Sequence, residues 1–119
     1  MSIPRELHTI AQAIFDKKGM NILGIDVRGS SSMTDYYLIA EGTVERHVIA
    51  LAQSVMERQG KEGIKPLHTE GLSYGDWIVL DYGDIVVHLL ESEMREKYHL
   101  EALWREGKIV PLKLEVHNV

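Results

Sequence analysis

Apolar positions change their spacing several times along this chain, and each change marks an element. Leu7, Ile10, Ala11 and Ile14 recur at intervals of three and four, so residues 4–17 are predicted to form an amphipathic helix. Ser2 and Pro4 suit its start, and Lys17-Lys18 followed by Gly19 suits its end. Residues 21–28 (NILGIDVR) and 34–40 (TDYYLIA), rich in β-branched and aromatic types, read as strands. The glycine-serine loop between them is short enough for an antiparallel hairpin. A second helix opens at Gly42-Thr43, with Thr43 as the expected N-cap. Val44, Val48, Leu51, Ala52 and Val55 form its expected stripe, and Gly60 and Gly63 close it.

In the second half, residues 65–69 suit a short strand, and residues 76–81 and 84–90 suit two strands around Tyr82-Gly83. Ser92 is the expected N-cap of a helical region over 93–105, bent near Tyr98-His99, where the apolar spacing shifts. In the tail, residues 110–116 alternate, with Leu112, Leu114 and Val116 on one face, which suits an added edge strand. The order of elements predicts an α/β fold, a mixed β-sheet of about five strands flanked by helices, with a parallel crossover through the second helix. The 119 residues, without a repeat or an internal boundary, fit one domain over 1–119.

Composition narrows the chemistry. The chain has no cysteine, which excludes disulfides, thiolate metal sites and cysteine nucleophiles. No apolar run approaches a membrane span and the first residues lack a signal-peptide core, so a cytoplasmic protein with no membrane partner is expected. Net charge is −5, and basic residues are scattered as Lys17-Lys18, Arg28, Arg46, Arg58, Lys61 and Lys65. A phosphate-backbone binder normally shows a basic stripe. The acidic balance suits a basic protein partner better, and no sequence-specific nucleic-acid binding is expected.

Residues 75–104 concentrate acids and histidines, and so test the case for catalysis or metal binding. His88 and Glu91 lie an odd distance apart on a strand, which sends their side chains to opposite faces. The plainer reading of His88 is a histidine on the less buried sheet face, hydrogen-bonded or solvated. A nucleotidyl-transfer site needs two acids spaced by one residue on one strand, but Tyr37 stands two after Asp35. No serine elbow or nucleophilic triad stands out. Neither a catalytic residue, a metal nor a cofactor is therefore expected. If Asp81-Tyr82-Gly83-Asp84 is a hairpin with a two-residue loop, Asp81 and Asp84 face each other across its mouth, Cβ atoms about 5 Å apart. Ordinary turn chemistry explains two such aspartates, and so does a pair awaiting a partner's Lys or Arg, with Tyr82 at the tip. Trp77 shares strand parity with Val79 and Asp81.

The segments TDYYLIAEG (34–42), ERHVIALA (45–52), HTEG (68–71), GDWIVLDYGDIVVHLL (75–90) and KYHLEALW (97–104), in this order and at these spacings, closely resemble the ribosomal silencing factor (Iojap) family. The resemblance covers roughly residues 5–105 and leaves 106–119 as a C-terminal extension. Glu41 stands where a small residue is expected. The resemblance implies a nucleotidyltransferase-like fold without the catalytic acids, in agreement with Tyr37. It implies binding to the large ribosomal subunit through its basic protein number fourteen, blockage of an intersubunit bridge, and repression of translation by keeping the subunits apart. Organellar relatives act in large-subunit assembly, which is one alternative; a residual nucleotide-binding or nucleotidyltransferase protein using Asp35 and Asp81 is another. A homodimer is also implied. With that partner in view, the expected contact residues are Glu70, Trp77, Asp81, Tyr82, Asp84, His88, Glu93 and Tyr98.

Overall fold

A computed structural model describes residues 4–29, 33–99 and 107–116. Helix α1 (Arg5–Asp16) is followed by strands β1 (Met20–Asp26) and β2 (Tyr36–Gly42), helix α2 (Glu45–Lys61), and strands β3 (His68–Glu70), β4 (Trp77–Asp81) and β5 (Ile85–Glu91). Helix α3 (Ser92–Tyr98) and strand β6 (Lys108–Val110) complete it. The strands form one six-stranded mixed sheet in the order β3-β4-β5-β2-β1-β6. Every pairing is antiparallel except that between β2 and β5, which are central neighbours although α2, β3 and β4 lie between them in sequence.

Alternation along the strands assigns the two faces. Leu38, Ala40, Ile78, Leu80, Val87 and Leu89 point to one side and are fully buried there with Leu7, Ile10 and Ile14 of α1 and Val48, Leu51 and Val55 of α2. This is the main core. On the opposite face a smaller cluster joins Ile25, Val27, Ile39 and Leu90, with Leu23, Tyr37, Trp77 and Met94 packed around it. Among the described elements, α3 supplies the cover on that face through Met94, which leaves much of it half-buried.

Local expectations shift in instructive ways. The cap of α2 is Val44, which makes no side-chain cap bond and is exposed, so it is not part of the stripe. Thr43 instead donates its backbone N–H to Nδ1 of His47 at 3.0 Å, while Nε2 of His47 meets the Lys17 carbonyl at 2.8 Å. The histidine thus ties the start of α2 to the end of α1. Ser92 is the first helical residue of α3 rather than its cap, and its hydroxyl donates to Glu41 at 3.2 Å. The bend expected near Tyr98-His99 is the end of α3, with His99 left-handed at φ 47°. The rest of the predicted helical region, 100–105, lies outside the described residues.

The tail pairs with β1 through Lys108–Val110 only, because Pro111 has no N–H to extend the ladder. Leu112 and Leu114 still pack on the main core, whereas Val116 is 70% exposed and does not share their burial. Gln12 of α1 grips this strap like a strand partner, accepting from the Glu115 N–H at 2.8 Å and donating to the Glu115 carbonyl at 2.9 Å.

Candidate functional site

The sheet face away from α1 and α2 gathers most of the expected contact residues. Cross-strand register aligns Glu70, Val79, His88, Ile39 and Leu23 in one row. His68, Asp81, Val86, Tyr37 and Ile25 form the next. Trp77 and Leu90 are directly paired, so Trp77 and His88 are diagonal neighbours. The Trp77 indole N–H donates to Nδ1 of His88 at 3.1 Å. The Tyr37 and His88 rings are 5.8 Å apart, the Trp77 and His88 rings 6.0 Å, and the Trp77 and Tyr98 rings 5.5 Å. All three pairs are tilted, within the separations at which aromatic rings attract. Four rings from β2, β4, β5 and the end of α3 thus form a continuous strip.

His88 is half-buried and neutral within this strip. Burial pushes its pKa down to about 4, because the apolar neighbours disfavour the imidazolium. Since Nδ1 accepts the Trp77 bond, the ring proton sits on Nε2. The plainer reading of His88 made from the sequence therefore holds.

Acids stand around the strip, Glu70 and Asp81 within its two rows on β3 and β4. Glu70 is exposed and paired with His68 at 3.0 Å. Asp81 is half-buried at the end of β4, and its carboxylate accepts the Gly83 N–H at 2.8 Å. Asp84 and Glu93 are exposed, on the β4–β5 turn and on α3. Tyr98 is 48% exposed.

Two expectations about the turn fail. Asp81 lies opposite Val86, not Asp84, because the turn residues are Gly83 and Asp84, with Tyr82 N–H bonded to the Ile85 carbonyl at 2.9 Å. Gly83 takes φ +89°, which favours glycine, and this sets the turn one residue later. Tyr82 is not a tip residue awaiting a partner. Its ring packs on the helix-side core, its hydroxyl is buried without a hydrogen-bond partner among the described residues, and burial pushes its pKa up to about 12.

Tyr37, Val79 and Val86 belong to the strip's surface but were not among the contact residues expected from the sequence. Strand parity carries the signal, since Val79 and Val86 alternate with fully buried neighbours. Among the described residues, no group of three or more histidines and acids is placed to hold a metal. Asp35 is exposed just before β2, and Asp81 is engaged in its own turn.

A family model described as ribosomal silencing factor during starvation matches residues 1–118. This chain belongs to the ribosomal silencing factor family. The match takes in the tail that the motif resemblance left aside. The ribosomal silencing factor of Haemophilus influenzae is 42% identical over 73% of this chain and 85% of its own length. A mouse protein named for mitochondrial assembly of the ribosomal large subunit is 31% identical over 83% of this chain and 45% of its own. A crystal structure of a Chromobacterium violaceum protein superposes with a TM-score of 0.84 at 31% identity, covering 97% of this chain and 95% of that one. As a member of this family, the chain is assigned to translation regulation and the ribosome.

Proposed function

We propose that this silencing factor docks its open sheet face on basic protein number fourteen of the large ribosomal subunit, covers an intersubunit bridge, and so keeps the small subunit from joining. The observation that carries the reading is the half-buried ring strip of Tyr37, Trp77, His88 and Tyr98 with acids around it. Aromatic side chains that already bury part of their area supply rigid anchors, and acidic neighbours speed encounter with a basic partner. The mechanism is occupancy, with no bond made or broken, and its place is the cytoplasm. Tyr82, buried on the other side, is left out of the contact surface.

Sedimentation of separated subunits in joining buffer, with and without the protein, tests this. The protein should travel with the large subunit and lower the joined peak. Trp77→Ala and Glu70→Lys with Asp84→Lys should each weaken that binding while the domain stays folded. Normal joining despite bound protein would oppose silencing. That outcome would favour a second reading, assembly of the large subunit through the same face, which the name of the mouse relative supports. No binding to either subunit would overturn both.

A further inference from the structure

Basic residues scattered in the sequence meet on the helix side of the domain. A groove of about 750 Å³ runs between α1, α2 and the tail strap. Among the described residues, Arg5, Arg58, Lys61 and Lys113 line it with two acids, Glu62 and Glu115, in a chain whose net charge is −5. Arg58 is engaged by Asp16 at 3.1 Å. Arg5, Lys61 and Lys113 have no carboxylate partner among the described residues, and all three are exposed.

Three separate elements supply those cations, and the fold holds them together. Arg5 opens α1, Lys61 closes α2, and Lys113 is brought over α1 by the Gln12 grip on Glu115. Gln59 of α2 donates to Glu6 of α1 at 2.8 Å, which fixes the two helix ends beside each other. The remaining described lining is polar, from His8, Thr9 and Gln12, with no aliphatic side chain and no Phe, Tyr or Trp. Such a groove lacks the apolar anchors of a protein hot spot. The Thr9 hydroxyl and the Gln12 amide are engaged within the fold, by the Arg5 carbonyl and by Asp16 and Glu115, so the groove's exposed point charges are what match the partners of phosphate oxygens.

We propose that this groove is a phosphate-binding surface that holds an RNA backbone without reading its sequence. The proposal rests on the preceding reading that the domain sits on the large subunit, where RNA lies beside protein. The acidic, aromatic sheet face then takes the basic protein, and the basic groove takes RNA phosphates. Each ion contact to phosphate releases condensed counterions, so salt dependence is its signature.

The experiment compares wild type with Lys61→Glu/Lys113→Glu, and with Arg5→Glu as a second variant on another element. Binding to large subunits is measured by cosedimentation over a potassium chloride series, and binding to a short mixed-sequence duplex RNA by anisotropy at low salt. The double variant should bind subunits about tenfold more weakly at low salt, with a log–log salt slope shallower by about 1 to 2. It should also lose the duplex RNA. Unchanged subunit affinity and slope would overturn the proposal. If wild type binds no subunit, the docking reading has failed, and the RNA measurement decides the groove by itself. RNA held by wild type and released by the variants supports it; no RNA held by wild type overturns it. Retention of polyglutamate but not RNA would assign the groove to an acidic protein and also overturn the proposal.

Discussion

Nε1 of Trp77 donates to Nδ1 of His88 from the neighbouring strand, and this bond needs an unprotonated acceptor. Burial holds the folded pKa of His88 at about 4, against an ordinary value of 6.5. The unfolded chain therefore takes up the proton first as pH falls. The stability that neutral His88 contributes is complete above pH 6.5 and is lost as pH drops toward 4. Urea unfolding at steps between these limits should show a loss of up to about 3 kcal/mol that His88→Phe reduces. An identical pH profile in wild type and variant would show that other groups set the acid limit.

Gly71 fixes the entry to β4. It has φ +78°, and a Cβ there would lie 2.0 Å from the Trp77 carbonyl oxygen. Backbone cannot give way as a flexible side chain does. Gly71→Ala should therefore destabilise by about 2 kcal/mol or more, and shift the Trp77 environment seen in near-ultraviolet circular dichroism. Wild-type stability in the variant would show that the loop re-routes freely.

Tyr82 invites the opposite change. Its hydroxyl is buried without a partner among the described residues. Tyr82→Phe removes the desolvated group and keeps the ring, so stability should hold or rise by about 1 kcal/mol. Subunit binding should be unchanged. A marked loss of binding with intact folding would return Tyr82 to the contact surface.

Arg95 anchors α3, and with it Tyr98. Its guanidinium is buried, donates to the Asn21 carbonyl, and lies 3.7 Å from Glu41, which also accepts from Ser92 and Asn21. Replacing Glu41 by Leu takes a carboxylate away from beside a buried cation. It should cost about 3 kcal/mol in chemical unfolding, more than Arg95→Met, which removes the cation itself. Equal losses would mean that packing, rather than the lost carboxylate, sets the cost.

The sequence determined the local elements through near-neighbour physics. Three-and-four spacing at Leu7, Ile10, Ala11 and Ile14 gave α1 within a residue of its ends, and period-two alternation placed β1, β2, β4 and β5. It also placed Trp77 on the face of Asp81, and the motif series from 34 to 104 carried the family. The element order predicted a parallel crossover through the second helix, but that β5 is the strand paired with β2 was decided only in three dimensions, and so were Tyr37 beside His88 and the basic groove. Each joins residues whose separation in the chain exceeds any periodicity, so no local pattern encodes it. The burial of Tyr82 belongs here too. Parity fixes which way a side chain points, but only the layer packed on that face decides whether it meets solvent, a partner or α1 and α2.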